Sequence, residues 1–359
     1  MAYSTGSGSY TDLMAAVLAH AIADGWTTSG GNWPISKGKV RGVDWQSTTR
    51  SVSDYSTGSP IALTERIIRL AIGTSMANAT ANAASLTTSV LIACMNFSIV
   101  DWHIFSDPGV GKPDYIHVVT RYSNALFSDI FNHFSFGEID KGGMTHGGAV
   151  FVASHARRGY PALAAGPGTA TWQSYDWNCG DCPNWNMHFG GSAGRGGSNR
   201  QSAGSENNLL IILDPSPSVT PATGGWLQPD TLGAYSNILD VMARDYGAVV
   251  TYANLMTSGL SVGMVSQPAV MAAQPYSGGV TMQSIPLILI SSVNSAMFIG
   301  VIPGVRICTM QSFNPRDEIT YASDTWKLMP LLRKTPPEQL LQSLIVSSAE
   351  VGYAYKKVA

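Results

Sequence analysis

Hydrophobic positions near the start recur at helical spacing. Residues 10–24 place Leu13, Ala16, Val17 and His20 on one face, with Leu18 and Ile22 beside it. Thr11 or Asp12 can cap this helix, and Gly25 stops it. A second helix is predicted over 62–73, where Thr64 precedes Glu65-Arg-Ile-Ile-Arg-Leu-Ala-Ile and Gly73 follows. Between them, residues 29–60 are rich in Gly, Ser and Thr, and read as short strands or an ordered loop anchored by Trp33 and Trp45. Residues 74–88 are small and polar, a surface loop or short helix.

From there β-type segments dominate. Strands are predicted over 89–97, 98–105, 115–122, 131–139, 149–154 and 209–213, with a turn at Asp107-Pro108-Gly109. The last third alternates strands and turns, with strands over 248–256, 284–291, 296–302 and 304–310. Short helical stretches are expected at 238–244 and from Thr335. Tyr353-Ala-Tyr-Lys-Lys reads as an edge strand. Residues 156–208 lose all periodicity and carry Trp172, Trp177 and Trp185 among Gly and Asn. A loop of that length is unusual unless a neighbour fixes it. The expected class is α+β and β-rich: antiparallel sheets or a sandwich, two N-terminal helices and a long Gly/Trp-rich insertion. The expected organisation is an α+β domain over 1–155, an irregular Gly/Trp/Pro-rich insertion over 156–230 and a β-rich domain over 231–359.

Composition changes the picture in one respect. Charged residues make up 12% of the 359, about half the ~25% of an ordinary soluble domain. The formal net charge of -2 argues against a general nucleic-acid binder, which needs a basic face to replace counterions. Low charge with 45% hydrophobic residues argues equally against disorder. A polar but hardly charged surface suits a subunit that buries much of itself against partners. A secreted β-rich protein can share this composition.

The start has no basic segment followed by an apolar core, so it does not read as a signal peptide. The most apolar stretches, 85–100 and 285–305, are broken by Ser, Thr, Asn and Pro and read as buried strands, not membrane spans. Cys94 and Cys308 lie in apolar runs and are expected in the core. Cys179-Gly-Asp-Cys182, with His188 nearby, is a weak metal candidate, because no second C-x-x-C supplies the remaining ligands. A loop with free thiols or a local disulfide fits that segment better. No cofactor is implied.

Catalytic motifs are thin. Gly109-Val-Gly-Lys112 is followed by Pro113, which removes the Ser or Thr and the backbone donor of a phosphate loop. Gly190-Gly-Ser192-Ala-Gly194 has the letters of a nucleophile elbow without the flanking strand and helix. His103, His117, His133, His146, His155 and His188 crowd the middle, with no helical i, i+4 pair, and read as hydrogen-bonded core residues. Asp101, Asp107, Asp114, Glu138 and Asp140 are available for a carboxylate pair, but they sit at strand ends and turns where acids serve as caps. An enzyme is not expected.

One set of blocks is more specific. Pro113-Asp-Tyr-Ile-His-Val-Val-Thr-Arg is followed by Phe131-Asn-His-Phe-Ser-Phe-Gly-Glu-Ile-Asp-Lys-Gly-Gly and by Gly147-Gly-Ala. Together they resemble a recurrent block in virion proteins of tailed bacteriophages. Tyr10-Thr-Asp-Leu-Met with Asp24-Gly-Trp-Thr resembles their opening, and Thr325-Trp-Lys-Leu-Met-Pro330 with Gly352-Tyr-Ala-Tyr-Lys-Lys357 their closing strand. The likeness covers the first 150 residues and the last 60, roughly. It implies a structural part of the particle, assembled in the host cytoplasm. A tail-tip, baseplate or fibre-attachment component comes first, with a head–tail collar or capsid decoration protein as the alternative. Its partners would be other virion proteins and further copies of itself in a ring or trimer, with no nucleic acid or membrane and with contact to a host surface for a tail-tip part. Assembly and packing would draw on Trp172, Trp177, Trp185, Phe134, Phe136, Tyr353 and Tyr355. A particle-borne carbohydrate-binding or glycan-cleaving protein is the reading of another class.

Overall fold

The computed structural model describes residues 2–54, 61–84, 89–93, 98–123, 130–140, 150–154, 210–213, 279–280, 282–290, 296–310, 312–330 and 351–358. In chain order the first elements are β1 (Tyr3–Gly8), α1 (Tyr10–Ala23), β2 (Thr27–Ser29), β3 (Asn32–Lys37), β4 (Val40–Asp54), β5 (Ile61–Ile72), α2 (Met76–Ala84) and β6 (Val90–Ala93). Next come β7 (Ser98–Phe105), β8 (Tyr115–Ser123), β9 (Ile130–Glu138), β10 (Val150–Ser154) and β11 (Leu210–Leu213). The last are β12 (Met282–Ile290), β13 (Ala296–Thr309), β14 (Glu318–Tyr321), β15 (Asp324–Pro330) and β16 (Val351–Lys357). They form three antiparallel sheets: β1-β7-β8-β9-β10-β11, β2-β3-β4-β5-β6 and β12-β13-β16-β15-β14. The chain is therefore β-rich with two helices among the described residues.

The six-stranded sheet lies between other layers, and strand alternation assigns its two faces. Trp102, Ile104, Ile116, Val118, Phe134, Phe136, Val150 and Val152 point to one side. There they meet Leu13, Met14 and Val17 of α1 with Ile35, Val40 and Val43 of the second sheet, all buried. Each large apolar side chain removed from water in this way contributes about 1.5–3 kcal/mol. The opposite face carries His103, Phe105, His117 and His133 and packs on Tyr353 and Tyr355 of β16.

Local signals explain α1 well. Ser9, not Thr11 or Asp12, is the N-cap: its Oγ accepts from the Asp12 N–H at 3.2 Å, while Asp12 Oδ2 accepts from the Ser9 N–H at 2.8 Å. This capping box satisfies two orphan donors, and Asp12 serves it as the N3 residue. Gly25 stops the helix as expected, with φ +84, a conformation costly for any side chain. Trp26 N–H returns to the Ala21 carbonyl and Gly25 N–H to Ile22, which closes a Schellman turn.

Three sequence expectations are corrected. Residues 62–73 are not a helix but strand β5, paired with β4 through twelve registered positions from Val43↔Ile72 to Asp54↔Ile61. Ile68, Leu70 and Ile72 alternate into the core, so this segment satisfies a period of two, and β-branched isoleucines suit it. The ladder with β4 overrides the local cap and stop signals. The second helix lies instead at Met76–Ala84, inside the stretch read as loop or short helix. Tyr353–Lys357 belongs to β16, which is an interior strand flanked by β13 and β15. Tyr353, Ala354 and Tyr355 are fully buried there. Residues 296–302 and 304–310 are not two strands but one bent strand, β13. β1 has no sequence signal, because its Gly- and Ser-rich stretch lacks apolar alternation and draws its order from pairing with β7. The strands expected at 98–105, 115–122, 131–139, 149–154, 209–213 and 284–291 appear as β7 to β12. The expectations for 156–208, 238–244, 248–256 and the turn from Thr335 lie outside the described residues.

The β14–β15 hairpin closes on Ala322 and Ser323, with φ +50 and +66. Two left-handed residues are the requirement of a type I′ turn, which Asn-Gly meets far better than Ala-Ser. The double substitution A322N/S323G is expected to raise stability by about 1 kcal/mol. An unchanged or lowered denaturant midpoint would remove this account of the turn.

Candidate functional site

Three neighbouring strands put three histidines on one face of the six-stranded sheet. The register aligns His103, Val119 and His133 across β7, β8 and β9, and aligns Phe105, His117 and Ser135 one step along. Two of these histidines are closed off. His117 Nε2 lies 2.7 Å from the Pro303 carbonyl and its Nδ1 2.7 Å from Ser135 Oγ. A carbonyl can only accept, so Nε2 carries the proton and Nδ1 accepts from the hydroxyl. Burial pushes His117 down to about 3 despite the Pro303 carbonyl, so the ring is neutral. His133 repeats the arrangement. Its Nε2 donates to the Pro330 carbonyl at 2.9 Å, and its Nδ1 accepts from the Tyr355 hydroxyl at 2.8 Å. The Tyr355 ring lies against both, 5.4 Å from His117 and 5.8 Å from His133, and stacks on Phe105 at 5.0 Å. His133 uses both nitrogens to join the first sheet to the third, whereas His117 reaches the third sheet through Nε2 and its own sheet through Nδ1.

The third histidine lies at an open end. His103 Nδ1 meets the Tyr3 hydroxyl at 2.8 Å. Its Nε2 faces Asp101 Oδ1 at 3.6 Å, too far for a hydrogen bond, and neither atom has another hydrogen-bond partner among the described residues. Asp101 Oδ2 accepts from Arg121 Nε at 2.9 Å and lies 3.3 Å from Arg316 on the third sheet's approach to β14. Burial raises the Asp101 pKa, but His103 and Arg121 outweigh it and hold the carboxyl well below the usual range. Burial pushes His103 down and, with Glu318 and Asp101, pushes the Tyr3 phenol up, so the phenol keeps its proton. Above the Tyr3 ring sit Lys357 Nζ at 5.1 Å and Lys327 Nζ at 5.8 Å from its centroid. Both lysines also reach Glu318, at 3.0 and 2.9 Å.

Arg316 is the unusual member. Its φ is +76, yet it is neither Gly nor Asn, and its N–H is held by the Leu328 carbonyl at 2.7 Å. The left-handed backbone costs about 1–2 kcal/mol for a residue with a Cβ. An ion pair as exposed as this one, with the Arg316 side chain 42% exposed, returns at most about 1 kcal/mol. The pair with Asp101 therefore does not account for the arginine.

A second buried network joins α1 to β7. Ser4 Oγ lies 2.8 Å from His20 Nδ1, and His20 Nε2 lies 2.8 Å from Ser106 Oγ and 3.4 Å from Asp24 Oδ2. Ser106 Oγ also donates to Asp24. Burial raises Asp24, but the bonds from His20 and Ser106 dominate and lower its pKa. The residue types are those of a nucleophilic triad, but Asp24 is the helix C-cap and His20, Asp24 and Ser106 are all buried. An acid at the negative end of a helix is unfavourable, and these bonds offset that cost.

Three of the remaining acids considered from sequence are tied to separate cations. Asp107 pairs with Lys356 at 3.3 Å, Asp114 with Lys37 at 2.7 Å and Glu138 with Lys39 at 3.5 Å. Asp114 and Glu138 both lie against Gly38, where they clamp the β3–β4 turn. Asp140 forms a backbone bridge with Val301. Phe134 and Phe136 are in the core, with Trp26 edge-on to Phe136 at 5.5 Å, and Tyr353 and Tyr355 lie between sheets. Cys308 is a buried free thiol. Trp172, Trp177, Trp185, Cys94, Cys179, Cys182, His146, His155 and His188 lie outside the described residues. Among the described residues no three His, Cys, Asp or Glu are grouped to hold a metal, and no helix is long and apolar enough to cross a membrane.

Tyr3, Arg121, Arg316, Glu318, Lys327 and Lys357 belong to this cluster and do not stand out in the sequence. The one usable signal is the period-two run Asp101-x-His103-x-Phe105, which puts an acid and a histidine on one face. Comparison with known proteins adds no relative: no family model matches this chain, and no curated protein matches it.

Proposed function

We propose that this chain is a structural subunit of a tailed-phage virion, of the tail-tip, baseplate or fibre-attachment kind, and that it works by protein–protein assembly. The observation that carries the assembly reading is the β4–β5 ribbon. Among the described residues, β3 pairs with β4 up to Val43, and β6 pairs with β5 from Ile68 to Leu70. The seven pairs from Thr48↔Ile67 to Asp54↔Ile61 have no third strand among the described residues. At ~3.3 Å per residue the ribbon extends ~23 Å past the three-stranded part. A two-stranded ribbon is marginal by itself in water, and backbone edges unpaired among the described residues favour pairing with another chain. The neighbour is an adjacent copy of this subunit in a ring or trimer. The low charge content and the resemblance of the β8 and β9 blocks to virion proteins supply the phage context. These features favour a tail-end component over a collar or decoration protein only through that resemblance.

The test compares the full chain with a variant in which residues 49–66 are replaced by Asn-Gly, which preserves the Thr48↔Ile67 pair. Light scattering should give a closed oligomer for the full chain and a monomer for the trimmed one, with cooperative unfolding in both. Equal masses would remove the ribbon from assembly. Antibody labelling of intact particles should mark the tail end, and unlabelled particles would overturn the virion reading.

A further inference from the structure

We propose that Ser4 is an acyl-transfer nucleophile, activated by His20, that takes the acyl group of a neutral, unhindered carboxylic ester. Such chemistry requires a hydroxyl within hydrogen-bond reach of a base, and a third group that orients the base. Ser4 Oγ lies 2.8 Å from His20 Nδ1, and His20 Nε2 lies 2.8 Å from Ser106 Oγ and 3.4 Å from Asp24 Oδ2. The order of the protons is the first argument. A carboxylate only accepts, so the Ser106 hydroxyl gives its one hydrogen to Asp24. The Ser106 oxygen then takes the hydrogen of His20 Nε2. A neutral imidazole carries one proton, and with that proton on Nε2 the Nδ1 lone pair is bare. Ser4 donates to that lone pair. The chain therefore runs one way, from Ser4 through His20 and Ser106 to Asp24. The imidazole is set to take the Ser4 proton, and the carboxylate at the far end stabilises the imidazolium that forms.

Access is the second argument. His20, Ser106 and Asp24 are buried, whereas Ser4 is only partly buried. Burial rules out Ser106 as the nucleophile and suits Ser106 and Asp24 as positioning residues for the base. The neighbours of His20 at i−4 and i+3 on its helix are Ala16 and Ala23, single methyl groups beside the base. The backbone supplies the third argument. β1 is an edge strand of its sheet. The Ser106 N–H donates to the Ala2 carbonyl at 2.9 Å, so Ala2 and, two residues on, Ser4 turn their backbone groups toward β7. Thr5 therefore turns its N–H to the outer edge, where no described strand pairs with it. The N–H that follows a nucleophilic serine is a recurrent oxyanion donor.

Charge sets the substrate class. β1 and α1 carry no Lys or Arg, so the two elements that present Ser4 and His20 offer no cation to a phosphate or carboxylate group. A neutral ester fits them. In the reaction Ser4 Oγ bonds to the ester carbonyl carbon while its proton passes to His20 Nδ1. The bond from that carbon to the leaving alcohol breaks, and the alcohol oxygen takes the proton. Water then attacks the acyl-Ser4 ester and gives a proton to His20, which returns it to Ser4 as the free acid leaves. This site lies on β1 and α1, independent of the β4–β5 ribbon, so either proposal can fail alone.

The experiment treats the full chain with a fluorophosphonate probe, locates the label by peptide mass, and follows hydrolysis of p-nitrophenyl acetate alongside. The label should fall on Ser4. S4A should remove it and slow hydrolysis about 100-fold. S7A, at an exposed serine of the same strand, should change neither. T5P removes the outward N–H, which proline tolerates at an edge, and should slow labelling at least about tenfold. S106A should slow labelling about tenfold and move its pH profile, which a merely structural serine would leave in place. A folded wild type left unlabelled at Ser4 overturns the proposal. So does hydrolysis that survives in S4A, or equal labelling of Ser4 and Ser7, which marks general surface reactivity. If T5P does not fold, S4A against S7A still decides.

Discussion

Between pH 6.5 and 4 the stability of the chain should fall with pH, and the substitution H117Q should make that fall shallower. His117 is held neutral in the fold, with its pKa pushed from 6.5 to about 3 by burial. Above the unfolded value both states are neutral and His117 contributes no pH dependence. Below it the unfolded chain takes up a proton that the folded chain refuses, so unfolding is favoured progressively until the folded pKa is reached. The slope is about 1.4 kcal/mol per pH unit for one such group. His103 is shifted in the same direction and adds to the effect. The lowered carboxyl of Asp101 acts later, because its contribution is lost only below the ordinary aspartate range of about 4. The histidines act alone in the upper part of the window, because Glu318, whose carboxyl is also held low by Lys327 and Lys357, joins only as the pH nears the ordinary glutamate range of about 4.5. Denaturant titrations of wild type and H117Q across this window should diverge by about 1.4 kcal/mol per pH unit. Parallel lines would mean that His117 is not the neutral inter-sheet donor described above.

The second large effect is at Gly137, where G137A should cost about 3 kcal/mol. Gly137 faces Tyr115 on β8 and Phe151 on β10 in the register. Its φ is +153, and an added Cβ would lie 2.5 Å from both the Asp114 carbonyl oxygen and the Tyr115 Cα. Those are backbone atoms of a paired strand, so no side-chain rotation relieves the overlap. G111A provides the comparison. Gly111 has φ +76, and a Cβ added there would meet nothing within 4 Å, so alanine carries only the conformational cost of about 1 kcal/mol. Unfolding midpoints should separate the two variants clearly. Equal losses would show that conformation alone, without the close strand approach, explains Gly137.

The positions of the strands were legible because their signals are local. Tyr115-Ile-His-Val-Val-Thr-Arg and Phe131-Asn-His-Phe-Ser-Phe-Gly alternate in the sequence as β8 and β9 alternate in space. Helix α1 and its Gly25 stop are equally local. Ile61–Ile72 reads as a helix because Thr64 and Gly73 imitate helix ends, while the partner that makes it a strand, Val40–Asp54, is reached only through the hairpin. The described histidines His103, His117 and His133 are hydrogen-bonded and buried, as the sequence led one to expect. What accepts from them was not readable: the Pro303 and Pro330 carbonyls lie 186 and 197 residues from His117 and His133.

The same division holds for the open cluster. Composition determined that charge is scarce in this chain, and periodicity determined that Asp101 and His103 share a face. Only the packing of the first sheet on the third brought Tyr3 under Lys327 and Lys357 and set Arg316 beside Asp101. Strand alternation repeats every two residues and can be read along the chain. Ion pairs and ring contacts depend on distances between segments far apart in sequence, and those distances exist only once the sheets have packed.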